Sequence, residues 1–155
     1  MHRRLHRVKM RLLTAQDMFR AMVRDQVAPA LRDLGFKGSG QVYLLPSETH
    51  WAMLSFQKSA SSDAASVRFA VNFDVTTKQE WEHRRRAFGA PARPSPSWLS
   101  RGSIADQPWP GGGWMQHWWH LRINEAVRPL VDDVLSRIEH EALPAMRASM
   151  AKPSG

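Results

Sequence analysis

Between Val67 and Val75 the chain alternates with a period of two. Val67, Phe69, Val71, Phe73 and Val75 stand against Arg68, Ala70, Asn72 and Asp74. A row of β-branched and aromatic residues on one side is the pattern of a half-buried strand. Such a strand is not stable alone: it needs paired neighbours and a second layer over its apolar face. Upstream, Ala52, Leu54 and Phe56 alternate with Trp51, Met53, Ser55 and Gln57, and the small polar run from Ser59 to Ser66 suits a hairpin loop. The expected register pairs Phe56 with Phe69, Leu54 with Val71 and Ala52 with Phe73. On the opposite face it sets Gln57 against Arg68, Met53 against Asn72 and Trp51 against Asp74. A slip of one residue would turn the Val/Phe row to water, so the facing is strongly specified. The second face mixes polar groups with Trp51 and Met53, which suits solvent, a covering loop or a binding surface.

The flanking segments supply the covering layer. Thr14-Ala15-Gln16-Asp17 reads as a capping box, with the carboxylate near the positive end of a helix. Phe19, Met22, Val23, Val27, Ala30, Leu31 and Leu34 follow as one helical stripe, and Gly35 and Phe36 fit a Schellman stop against Leu31. Pro29 removes one backbone bond and predicts a bend near Asp25. Lys37 to Gly40 reads as a turn, Gln41 to Leu45 as a first strand of the meander, and Pro46 to Thr49 as the next turn. Thr77 predicts a short helix from Lys78 to Phe88 with Trp81, Arg85 and Phe88 near one another. The proline- and glycine-rich stretches 89–96 and 102–113 read as loops. Trp114 to Leu121 reads as a fourth strand. A last helix is expected from about Asn124 to Ala142, its first turn bent or reset by Pro129 and its end set by Pro144.

The fold expected is therefore α+β: a two-layer domain with an antiparallel sheet of about four strands packed against N- and C-terminal helices. Residues 1–13 are a basic extension, 14–143 a single domain and 144–155 a frayed tail. A chain of 155 residues can enclose one core without staples. The absence of cysteine excludes disulfides, thiolate metal sites and a Cys nucleophile. No apolar run approaches the ~20 residues of a membrane span and no apolar leader stands at the N-terminus, so the expected location is the cytoplasm. The net charge of +8 favours anionic partners. Arg3, Arg4, Arg7 and Lys9 supply half of that excess, which is lost if translation starts at Met10.

Several pieces together resemble a bacterial family catalogued as domain of unknown function 4304. They are Leu34-Gly35-Phe36-Lys37 with Gly40 and Tyr43; Trp51 leading to Phe56-Gln57-Lys58-Ser59; Phe69-Ala70-Val71-Asn72; and Trp118-Trp119 before the last helix. The resemblance covers roughly Phe19 to Leu143. It implies an α+β domain and brings no activity, catalytic residue or cofactor with it.

Among the candidate functional residues, Gln57, Lys58, Ser59 and Asn72 could bind a polar ligand or a partner's backbone; otherwise their side chains satisfy the hairpin and nearby loops. Trp98, Trp109, Trp114, Trp118 and Trp119 crowd one stretch. Tryptophan stacks on bases, sugars or prolines, or else pins a long loop onto the sheet. Trp51, Trp98, Trp109 and Trp119 join the candidate surface, and a strand admits at most one of Trp118 and Trp119 to the main core. Arg84, Arg85 and Arg86 are a candidate anion-binding cluster flanked by Glu80 and Glu82. His117 and His120 face opposite sides of a strand and cannot share a metal. Asp132, Asp133, Glu139 and Glu141 read as outward-facing charges. No phosphate loop, nucleophile elbow, zinc-protease or dinucleotide motif is present, so no cofactor or metal is expected. The leading expectation is a non-catalytic module binding another protein, in an accessory or immunity-like role. A nucleic-acid binder using the arginines and a tryptophan is the alternative. An enzyme site around Gln57, Asn72 and Asp74 is a third reading.

Overall fold

In the computed structural model, which describes residues 13–99, 102–108, 110–112 and 114–152, Thr14 caps the first helix as its sequence predicts. Its hydroxyl accepts from the Asp17 amide at 3.1 Å, and the Asp17 carboxylate accepts from the Thr14 amide at 3.1 Å. Thr14→Ala should cost about 1 kcal/mol. Calorimetry would show it as a melting point a few degrees lower, and an unchanged midpoint would contradict the cap's contribution.

Helix α1 (Ala15–Met22) runs through a π-helical turn (Val23–Val27) into α2 (Ala28–Asp33). The turn lies where Pro29 predicts a bend. Pro29 cannot donate to the Asp25 carbonyl, and the Ala28 amide reaches back instead to Val23. Gly35, at φ 105°, stops the helix, with the Phe36 amide 3.0 Å from the Leu31 carbonyl in the Schellman arrangement.

Six strands form the main sheet: β1 (Lys37–Ser39), β2 (Val42–Leu45), β3 (His50–Lys58), β4 (Ser66–Thr77), β5 (Gly102–Ser103) and, further along the chain, β8 (Trp119–Arg122). The order is β1-β2-β3-β4, and β5 and β8 lie end to end along the other edge of β4. All pairings are antiparallel. A separate ribbon pairs β6 (Ala105–Pro108) with β7 (Trp114–Gln116). The architecture is α+β, an antiparallel sheet with N- and C-terminal helices, with more and shorter strands than expected. Lys37–Ser39 is an edge strand rather than a turn. The expected fourth strand is two, broken at His117-Trp118, where the His117 amide bonds to the Ile104 carbonyl at 2.9 Å.

The hairpin faces the way its alternation predicts, but the register differs by two residues. Phe56 pairs with Val71, Leu54 with Phe73 and Ala52 with Val75; behind them, Gln57 pairs with Ala70, Ser55 with Asn72 and Met53 with Asp74. A two-residue slip keeps every side chain on its face, so hydrophobic pattern cannot choose between the two registers. Turn chemistry chooses. The Asp63 carboxylate accepts from the amides of Ala65 at 2.9 Å and Ser66 at 3.0 Å, and the Ser59 amide bonds to the Arg68 carbonyl at 2.7 Å.

The apolar row of β4 is covered by the terminal helices. Phe69 is its centre, with the rings of Phe19 at 5.1 Å, Trp119 stacked at 5.7 Å and Phe56 at 6.3 Å. The C-terminal layer is α4 (Arg128–Arg137), a π-helical turn (Ile138–Ala142) and α5 (Leu143–Ala151). Pro144 does not end the helix. The π turn closes with the Leu143 amide on the Ile138 carbonyl, which places Pro144 in the first turn of α5, where its missing N–H costs nothing. Residues 144–151, expected to fray, are helical, and Met146 is wholly buried in the core.

The second face is covered in part. Helix α3 (Lys78–Phe88), capped by Thr77, sets Trp81 over Met53, and the following loop adds Ala90 and Leu99. Trp81 donates to the Pro91 carbonyl at 3.1 Å, which ties that loop to the helix. Phe88, expected beside Trp81, points outward and is 71% exposed.

Candidate functional site

The uncovered part of the second face is a trough made of two clefts. The larger encloses about 600 Å³ between β1–β2, the 46–50 turn, the start of α3 and the loop at Arg93 and Pro94. Its floor is Val42, Leu44 and Trp51, and its rim carries Lys37, Lys78, Arg93 and His50. Lys78 donates to the Ser47 carbonyl at 2.7 Å and sits 4.8 Å above the Trp51 ring. Gly38 makes the wall possible. At φ +145° its backbone passes so close to β2 that a Cβ would lie 2.3 Å from the Val42 carbonyl oxygen. Gly38→Ala should therefore cost about 2 kcal/mol or more through strain and the clash, readable in a urea melt; a change under about half of that would contradict the close approach.

The second cleft, about 420 Å³, is lined by Gln41, Val42, Ser55, Gln57, Asn72, Pro96 and Ser97. Val42 belongs to both clefts, and the segment from Arg93 to Ser97 runs from one to the other. Three amides join across strands here. The Gln116 side-chain amide donates to the Asn72 Oδ1 at 2.8 Å, and the Asn72 Nδ2 donates to the Gln57 Oε1 at 2.8 Å. Each consumes one donor and one acceptor, which leaves the amide N–H groups of Gln57 for a ligand. Ser55 is only 2% exposed, lines the cleft, and makes no side-chain hydrogen bond among the described residues. Gln116 also lines a third cleft, about 430 Å³, with Ser103 and Trp114.

The residues singled out in the sequence are thus partly gathered. Trp51 lies in the first cleft, and Gln57 and Asn72 in the second. Trp98 follows Ser97 and is 39% exposed. Ser59 serves the hairpin turn, accepting from the Ser61 amide at 3.2 Å, and Lys58 reaches over the Phe19 ring at 5.9 Å. Trp119 is not on a surface. It is buried in the core, and its indole donates to the Asp133 carboxylate at 2.7 Å, so Asp133 is engaged rather than simply outward-facing. Trp118 is the half-buried one, with the Arg68 guanidinium 5.5 Å from its ring. Trp109 lies outside the described residues. Arg84 is 3.7 Å from Glu80, and Arg85 and Arg86 are 3.0 and 3.9 Å from Glu82, so that cluster is largely matched on its own helix.

Lys37, Lys78, Arg93 and Gln116 also line the clefts, and none of them stands out in the sequence. Gln116 was not findable by parity, because the strand breaks at His117-Trp118 and the expected surface residue, Trp119, has the opposite parity. Arg93 carries no signal, since only the fold of a proline-rich loop brings it to the trough. His117 hydrogen-bonds Asp106, and no group of three metal-ligating side chains occurs among the described residues. Partial burial, with Arg68 and Arg122 nearby, holds the His120 imidazole below its usual range. Among the described residues no helix is long and apolar enough to cross a membrane.

Fold and site together define an α+β domain whose sheet is packed by terminal helices on one face and bears a cationic and amide-lined trough on the other. The chain belongs to the family described as Domain of unknown function (DUF4304), which matches residues 27–148. No curated protein and no solved structure matches it.

Proposed function

We propose that this domain is a non-catalytic module that binds a segment of another protein, in an accessory or immunity-like role. The observation that carries this reading is the trough. Its two clefts share Val42, with an apolar floor and cations at one end and hydrogen-bonding amides and a free hydroxyl at the other. The nucleic-acid reading rests on the arginine cluster of α3 together with a free tryptophan face. Here the face of Trp51 is occupied by Lys78, and Arg84 to Arg86 are matched by Glu80 and Glu82.

Panning a displayed random-peptide library against the full chain tests the reading. Recovered peptides should bind roughly tenfold or more weakly to Ser97→Trp, an exposed position whose new ring would fill the second cleft. Binders indifferent to that substitution would contradict it. So would tight, steeply salt-dependent oligonucleotide binding that persists when the chain starts at Met10.

A further inference from the structure

The charge of the trough specifies its occupant further, on the footing of the binding function just proposed. Lys37, Lys78 and Arg93 rim the first cleft, and no carboxylate lines it. Among the described residues, the side chains of Lys37 and Arg93 take part in no hydrogen bond or ion pair, and Lys78 has only the neutral Ser47 carbonyl and the Trp51 ring. The arginines of α3 and α4 differ, since each has an acidic partner three or four residues away along the chain. Unmatched cations over an apolar floor are complementary to carboxylates that alternate with apolar side chains.

The mode of binding also follows. Strand addition at β1 is disfavoured, because that edge has only three residues and the Gly38 carbonyl already accepts from Arg32 at 3.1 Å. The trough therefore engages side chains at its cationic end. At its other end Ser55 and Gln57 offer neutral donors and acceptors suited to peptide N–H and C=O groups. We infer that the occupant is an extended segment of a partner protein in which acidic and aliphatic residues alternate. Its carboxylates lie at Lys37, Lys78 and Arg93, its aliphatic groups on Val42 and Leu44, and its backbone against Ser55 and Gln57.

Fluorescence anisotropy on the full chain tests this with three labelled probes: a short peptide alternating Glu and Val, the same peptide with Gln for Glu, and an oligothymidylate. The acidic peptide should bind roughly tenfold or more tightly than the neutral one. Lys37→Ala combined with Arg93→Ala should abolish that preference, bringing the affinities for the acidic and neutral peptides together. Arg84→Ala with Arg86→Ala should leave the preference intact, and Gln57→Ala should weaken both peptides alike. Equal affinity for the two peptides, still weakened by Gln57→Ala, would overturn the acidic assignment and leave the protein-binding reading standing. An acidic preference that survives loss of Lys37 and Arg93 would do the same. Binding of neither peptide, with or without binding of the oligothymidylate, would overturn both.

Discussion

Val71→Asp will abolish the folding transition or drive its urea midpoint close to zero. Val71 is completely buried at the middle of β4, opposite Phe56 on β3, and its carbonyl accepts from the Ile104 amide at 3.1 Å. The substitution removes apolar packing worth about 1.5–3 kcal/mol. It also places a carboxylate where the terminal helices close over the sheet, and an unpaired buried charge costs several kcal/mol more even after its pKa adjusts. Domains of this size are stable by only about 5–15 kcal/mol, so the sum approaches the whole. Arg86→Gln on the exposed side of α3 is the surface control, with an expected change within about 0.5 kcal/mol. A near-normal midpoint for Val71→Asp would mean that this face of β4 is not the core.

Trp81→Ala will cost about 3–5 kcal/mol, as expected for a large aromatic truncated at a buried site. Its effect on binding will exceed that of any rim substitution. Trp81 is the pin between sheet and loop: its ring packs with Met53 and Leu99, and its indole donates to the Pro91 carbonyl. Without it the Pro91 carbonyl loses its partner and the segment carrying Arg93, Pro96 and Ser97 loses its anchor. Peptide binding should disappear even under conditions where circular dichroism shows the chain still folded. Trp81→Phe, which keeps much of the packing but loses the hydrogen bond and part of the ring volume, should retain part of both. Unchanged peptide affinity in a folded Trp81→Ala protein would show that the loop does not wall the binding surface.

The legible parts of this chain are those set by local pattern. The capping of Thr14, the stop at Gly35 and the facing of the Val/Phe row each depend on neighbours in sequence, and the structure has them. The hairpin register was not legible, because both registers bury the same row and the choice lies with Asp63 and Ser59 in the turn. Pro144 misled for a similar reason. A proline ends a helix only if the preceding hydrogen bonds keep their spacing, and the π turn at Ile138–Ala142 shifts them by one. The same device accommodates Pro29.

For the site, Gln57 and Asn72 were identifiable as polar residues on one face, but their direct bond follows from the corrected register, which makes them diagonal neighbours. The tryptophan-rich stretch divided in a way no periodicity reveals. Trp119 went to the core because β8 pairs with β4 at Phe69, while the isolated Trp51 became part of the trough floor. Arg93 depends wholly on tertiary placement of a loop.

The most direct measurement is a nitrogen-15 NMR titration of the full chain with the alternating Glu/Val peptide, following backbone amides, side-chain amides and indoles together. Shifts are expected in the Trp51 indole, the Gln57 and Asn72 side-chain amides and the backbone of Gly38 and Arg93, all saturating along one binding curve. Shifts confined to the outer arginines of α3, or a saturating titration that leaves the Gln57 and Asn72 amides unmoved, would contradict the trough as the site of binding.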